Sequence, residues 1–254
     1  MQDMKKWFVQ TRQRLHRSLK YRLIRPRPPA CDHVFRGPAV VVGSAPVINK
    51  PEGWDADFSV MTINGSQSAI RAWGIDVPDI TFMMFNQVEG TSTNAREVRR
   101  VLTGRRTRSL YVLLWRKNAR QRLVDGLKAF GYGYDNLVII DRYERMSLFD
   151  RMTGRKNTEV RTEDKCSNGL NAVLFALYHG APQVIITGIN PNSTGHSYNQ
   201  TGLARAHVQM DKTVIEQLLA EGRPLYTADP EVSRDLNIPL WTGRPEAPAV
   251  NPNV

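Results

Sequence analysis

The sequence predicts an α/β domain built on a mostly parallel sheet with helices on both faces, preceded by a basic amphipathic helix. Three observations carry this expectation. Short, continuous apolar runs recur along the chain, too uniformly apolar for strands with one wet face. They alternate with longer segments of helical period, several of which stop at a glycine. The charge is concentrated before this alternation begins: residues 1–29 hold nine Lys or Arg against Asp3 alone, a net +8 of the chain's +11.

Taken in order, "MQDMKKWFVQTRQRLHRSLKYRLIRPRPP" reads as a helix broken by Pro26, Pro28 and Pro29. Met4, Phe8, Leu15, Leu19 and Leu23 lean to one side of it, with Trp7 and Tyr21 on the flanks. "AVVVGSAPV", "DFSVMTING" and "DITFMMFNQ" are strands that end in Gly43-Ser44, Asn64 and Asn86. "REVRRVLTG" is helical, "SLYVLLW" a strand, "NARQRLVDGLKAFG" a helix closed by Gly131, and "NLVIID" a further strand. "KCSNGLNAVLFALYHG" is an apolar helix opened by Ser167-Asn168-Gly169, followed by the strand "VIITGIN". "HVQMDKTVIEQLLAEG" is a helix with a glycine stop, and "PLYTA" a last short strand. The expected organisation is an arm over residues 1–29, one folded domain over 30–243, and a Pro-rich tail over 244–254.

Composition narrows the function classes. A 254-residue chain with 41% hydrophobic and 23% charged residues is an ordinary globular protein. Two cysteines, Cys31 and Cys166, make neither a disulfide framework nor a four-ligand zinc site, and suit a reducing compartment. No apolar run reaches the roughly 18 residues of a membrane-spanning helix. The expected location is the cytoplasm, peripherally on the inner membrane. There the basic arm would meet an anionic membrane surface, each Lys or Arg contributing on the order of 1 kcal/mol. Packing on the domain or a partner is the plain alternative, and nonspecific nucleic-acid binding a third. The leucine and aromatic face exceeds what a phosphate-binder needs, so no nucleic-acid partner is expected.

In such sheets ligands sit beyond the carboxyl ends of the strands. Those ends carry Gly43, Ser44 and Ala45, then Asn64, Asn86 and Asn190, a set rich in neutral donors and acceptors. One asparagine there is turn chemistry; three, each after an apolar strand, point to a site. Free amides at the Ser167-Asn168-Gly169 helix start would bind phosphate or carboxylate. A plain helix cap, worth about 1 kcal/mol, is the simpler reading of those three residues. Of the five histidines, His179 lies in the apolar helix and reads as structural, and His33 beside Cys31 offers too few ligands for a metal. His207 heads a strong helix after "TGHSYNQTGLARA", where a positive helix end would keep its imidazole neutral and suit a general base. Asp55-Ala56-Asp57 has the pattern of a metal-holding pair but lies on the amino side of its strand, so it reads as a solvated turn. No metal is expected, and no cofactor.

The ordered set "VVVGSAPV", "FSVMTING", "ITFMMFN", "KCSNGLNAVLFALYHGAPQVIITGIN", "HSYN" and "AHVQMDKTVIEQLLAEGRPLYTADP" resembles the bacterial sialyltransferases of glycosyltransferase family 42 and the wider CMP-nonulosonate transferases. The likeness runs over roughly residues 38 to 241, in short pieces. It implies a Rossmann-like, GT-A-variant-like fold and metal-independent, inverting transfer. The implied substrates are a CMP-sugar donor and a glycan or glycolipid acceptor in surface-glycan synthesis; family members often assemble, which leaves a homo-oligomer open. By position, Gly43, Ser44 and Ala45 would face the nucleotide phosphate and ribose, and Asn64 and Asn86 the cytidylate and sugar. Ser167, Asn168 and Gly169 would hold the donor's phosphate and carboxylate, with Asn190 and Lys165 also on the donor. Tyr198 would bond the departing phosphate and His207 take the acceptor's proton.

The chain departs from that pattern in three places. Ser44 stands where the family turn carries Asn, and Pro191-Asn192 where a second tyrosine is usual, which leaves His196 or Lys165 to stabilise the leaving group. Lys165 replaces an arginine, keeping charge but losing the two-pronged fork that suits a carboxylate. Two rivals use a related core. A pterin-type diphosphokinase would need magnesium and ATP, against the scarcity of well-placed carboxylates. A non-catalytic nucleotide- or glycan-binding module is favoured by the missing tyrosine.

Overall fold

The computed structural model describes residues 2–113, 119–193, 195–198 and 207–243. Seven strands, β1 Ala39–Val42, β2 Ser59–Ile63, β3 Ile80–Met84, β4 Arg106–Leu113, β5 Gly133–Ile140, β6 Val184–Thr187 and β7 Leu225–Thr227, form one sheet. Its order is β5-β4-β3-β2-β1-β6-β7, and every pair is parallel. The helices are α1 Gln2–Ile24, α2 Gln67–Ile70, α3 Phe85–Glu89, α4 Thr93–Leu102, α5 Arg120–Ala129, α6 Arg142–Thr153, α7 Asn168–Tyr178, α8 Val208–Ala220 and α9 Pro230–Leu236. This is the Rossmann-like α/β arrangement that the alternation predicts. The Pro-rich tail, residues 244–254, lies outside the described residues.

The all-apolar strands are explained by their two covered faces. Along β1, Val41 points into a cluster with Met61, Phe82, Phe175 and Val214, while Val40 and Val42 pack on the other face with Phe58, Ile70, Ile185 and Trp241. Along β4, Tyr111 faces the first cluster, its ring stacked 5.2 Å from Phe82, and Leu110 and Val112 face a third with Leu102, Leu123 and Leu127. The helix α7 is buried from Gly169 to Ala176. At roughly 1.5–3 kcal/mol for each fully buried Leu, Val or Phe, it is a major contributor to the core.

One helix has no clean helical period in the sequence. α6 buries Arg145, Met146, Ser147, Leu148 and Phe149 in succession, so its apolar and polar positions do not alternate. Its start is nonetheless written locally: Asp141 accepts the amides of Tyr143 and Glu144, and the Glu144 carboxylate accepts the Asp141 amide.

Strands β1 to β5 run outward in one direction, and the chain then returns to place β6 on the far side of β1. The crevice between the carboxyl ends of β1 and β6 is therefore the topological switch point, where open α/β sheets bind ligands. Glycines make the close approach there. A Cβ on Gly43 would lie 2.2 Å from the Gly188 carbonyl oxygen, a backbone atom that cannot yield. Gly188 itself has φ +62°, and its amide donates to buried Asp229 at 2.7 Å.

Candidate active site at the switch point

A 490 Å3 cavity opens above this crevice, within the range of small-molecule sites. Its floor is Gly43, Ser44 and Gly188; one wall is Asn64, Asn86 and Gln87; the other is formed by Lys165 to Gly169 with His207 and Asp211. The topology brings these together because β1, β2, β3, β6 and the start of α7 all end at the same edge of the sheet.

The α7 start is both a cap and a cavity wall. Ser167 is the N-cap, and its hydroxyl accepts the Leu170 amide at 3.2 Å. Asn171 bonds back to the Ser167 carbonyl, so among the first amides those of Asn168 and Gly169 are left without an intrahelical carbonyl and line the cavity. The Ser167 amide goes instead to the Asp211 carboxylate of α8, at 2.9 Å. Gly169 is small for packing: a Cβ there would lie 3.0 Å from Ile189 Cδ1.

His207 stands immediately before α8. Its Nδ1 lies 3.0 Å from the Lys165 carbonyl oxygen, which can only accept. A neutral ring so bonded carries its proton on Nδ1 and its lone pair on Nε2. Burial lowers the imidazole's pKa, and the Lys165 and Thr162 carbonyls only partly oppose that drop. Burial also lowers the pKa of Lys165, with Arg145, Arg142 and Arg17 pushing the same way and Glu159 opposing them.

His196 enters the cavity from the other side. Its Nδ1 is 2.7 Å from the Ser44 hydroxyl, and its ring stacks on Tyr198 with centroids 5.3 Å apart and the ring planes nearly parallel. Tyr198 lies behind it, over Gly65, where a Cβ would meet the ring at 2.8 Å. Asn64 adopts φ +50° and accepts the Met84 amide at 3.0 Å, tying the ends of β2 and β3 together.

Of the residues singled out from the sequence, Gly43, Ser44, Asn64, Asn86, Lys165, Ser167, Asn168, Gly169 and His207 line this cavity. Tyr198 is one ring removed from it, while Ala45 and Asn190 line a neighbouring 200 Å3 cavity around Asp229. Two charged residues escaped the sequence reading. Asp211 was legible, being four positions after His207 and hence on the same helix face. Arg145 was not: it faces the cavity from α6 and forms a buried two-pronged pair with Glu159, fourteen residues away across a loop. Among the described residues, no three His, Cys, Asp or Glu side chains gather as a metal site would require.

The basic arm forms α1 and leans on the domain by its polar side. Arg17 donates to the Thr158 and Glu159 carbonyls, Tyr21 to the Asp150 carboxylate at 2.9 Å, and the Lys20 ammonium sits over the Tyr143 ring. Its apolar stripe faces away: Met4, Phe8, Leu15, Leu19 and Leu23 are all half exposed or more, Leu23 reaching 82%. Among the described residues, no helix is long and apolar enough to cross a membrane.

No protein-family model matches the chain, and no curated protein matches it. Solved structures do. The sialyltransferase CstII from Campylobacter jejuni, in complex with the substrate analogue CMP-3FNeuAc, superposes with a TM-score of 0.53 at 14% identity, over 81% of this chain and 86% of that one. The monofunctional α-2,3-sialyltransferase Cst-I from the same organism gives 0.55 at 12%, over 85% and 84%. CstII with a trisaccharide acceptor and CMP gives 0.52 at 11%, over 83% and 89%. At such identities the likeness is one of fold.

Proposed function

We propose that this chain is an inverting, metal-independent glycosyltransferase that moves sialic acid or a related sugar acid from a CMP-sugar to a glycan or glycolipid, with His207 as general base. The observation that carries the proposal is the placing, in one cavity, of the His207 imidazole, whose Nδ1 faces the Lys165 carbonyl, and the positive start of α7. Its fold-level neighbours include sialyltransferases with CMP, with a CMP-sugar analogue and with an acceptor trisaccharide.

In this reading the acceptor hydroxyl gives its proton to His207 Nε2 as its oxygen bonds to the anomeric carbon. The bond from that carbon to the CMP phosphate oxygen breaks, and its electrons leave with CMP. Such a carbon ionises readily, so the protein has mainly to orient the partners and stabilise the leaving phosphate. The Asn168 and Gly169 amides and the Lys165 ammonium supply that stabilisation, and the Ser44–His196 pair adds donors on the facing side. Asn64 and Asn86 contact cytidylate and sugar. Tyr198 acts through the His196 ring it stacks on, and Ala45 and Asn190 shape the crevice from below.

The outward apolar stripe of α1, with Lys5, Arg12 and Arg22 beside it, suits the surface of an anionic membrane, and this is where we place the enzyme. A thermal-shift series with CMP, CDP, ATP and UDP, each with and without EDTA, tests the assignment. CMP should stabilise the protein regardless of EDTA. Stabilisation by ATP that requires magnesium would indicate a diphosphokinase instead, and CMP binding without turnover of any CMP-sugar a bare binding module.

A further inference from the structure

The first turns of α1 and the segment 160–163 enclose a second groove of 750 Å3. One wall is Lys5, Lys6, Trp7 and Gln10; the other includes Arg161 and Thr162. Thr162 lines the active-site cavity as well, so the two spaces adjoin through this residue. The segment between them is braced from both sides. Arg17 of α1 holds the carbonyls of Thr158 and Glu159, and the Glu159 carboxylate holds Arg145 at the cavity.

The groove is cationic on balance. Lys5, Lys6 and Arg161 stand against Glu163, and Arg161 is engaged by Asp164 and Glu163. Lys5 and Lys6 form no ion pair among the described residues, and so are the cations a ligand would meet. Trp7, 60% exposed, adds a flat apolar plate of the kind a sugar ring's C–H face packs against. On the same helix the apolar stripe points to where a membrane would lie.

Resting on the transferase reading, we infer that this groove receives the acceptor: a glycan bearing a phosphate, presented on a lipid, whose free hydroxyl reaches past Thr162 to His207. The lysines take the phosphate through charge-assisted bonds, Trp7 takes the sugar, and α1 sits at the level from which a lipid-anchored substrate enters.

The test uses the full chain saturated with CMP, probed by ligand-observed NMR with glucose 1-phosphate, glucose and inorganic phosphate. Glucose 1-phosphate should bind about tenfold or more tightly than either of the others, and K5E/K6E should weaken it by about tenfold or more. W7A should reduce the preference for the sugar phosphate over inorganic phosphate. Stabilisation by CMP should be unchanged in both variants, which shows that they fold. Equal binding of glucose 1-phosphate and inorganic phosphate, or undiminished binding in K5E/K6E, overturns the proposal. So does flotation on phosphatidylcholine vesicles containing phosphatidylglycerol that equals flotation on vesicles containing a phosphorylated glycolipid. A mixed RNA oligonucleotide that displaces glucose 1-phosphate stoichiometrically and binds more tightly does the same. If CMP fails to stabilise the wild type while glucose 1-phosphate still binds, the transferase reading is wrong and the groove stands as a sugar-phosphate site.

Discussion

The carbonyl oxygen of Lys165 lies 3.0 Å from Nδ1 of His207, and because a carbonyl can only accept, this contact makes Nδ1 a donor. A carboxylate in that place would raise the basicity of the ring. A neutral carbonyl orients it while leaving burial free to lower its pKa. The same Lys165–Gly169 segment carries the amides that would receive a leaving phosphate, so the proposed base and the proposed phosphate site share one short stretch of chain.

His207→Ala should lower transfer from a CMP-sugar by about a hundredfold or more, the contribution of a positioned general base. CMP should stabilise the variant as it does the wild type, because the ring is assigned to the acceptor side. Unchanged turnover in the variant removes His207 from the mechanism.

The direction of the His207 shift gives a pH prediction. Its folded pKa lies below the ordinary imidazole value of about 6.5, so the base form persists into mild acid. The acid limb of kcat/KM should therefore have its midpoint below that value. The folded state also takes up its proton later than the unfolded chain does. His207 thus subtracts stability as pH falls through the ordinary value, and a His207→Gln variant should lose less stability on acidification. An acid limb at or above pH of about 6.5 contradicts the assignment.

The Arg145–Glu159 pair is buried, with each side chain about 5% exposed. Arg145→Met or Glu159→Gln alone leaves a charge out of water without its partner, and should cost about 3–5 kcal/mol in denaturant unfolding. The double replacement should cost less than the sum of the two. Additivity would mean the charges do not sense one another.

Gly43→Ala should destabilise by about 1–3 kcal/mol and abolish stabilisation by CMP, because the new methyl meets the Gly188 backbone. Gly169→Ala should be milder, since the Ile189 side-chain end it would touch can rotate away. Equal effects of the two would show that the strand ends splay more easily than their geometry implies.

Replacing Phe8, Leu15 and Leu19 together by Gln should release the protein from vesicles of phosphatidylcholine and phosphatidylglycerol. The melting temperature should change little, because these side chains are at least half exposed in the folded protein. Retention on the vesicles would move the membrane contact elsewhere.

Local chemistry made much of this protein readable in advance. Continuous apolar runs marked the strands, most plainly β1, β2 and β6, which are buried along their whole length and have no reason to alternate. Glycine stops marked the ends of α5 and α8, and Ser167 marked the start of α7. The candidate site was legible wherever its residues sit at strand ends or head a helix, as Ser44, Asn64, Asn86, Asn168 and His207 do. What the sequence could not decide was partnership across distance. Arg145 reaches the cavity through a turn of α6 whose burial on every side erases helical periodicity, and its partner Glu159 lies beyond a loop. Tyr198 and Asn190 follow equally plausible local patterns, yet the His196 ring is stacked on one, and the other lines the neighbouring cavity and accepts the Asn192 amide. The arm's amphipathic stripe was plain from residue spacing alone. That it faces outward was settled by Arg17 and Tyr21, which spend the helix's polar side on the domain. Spacing along the chain fixes which residues share a face; only packing decides what that face meets.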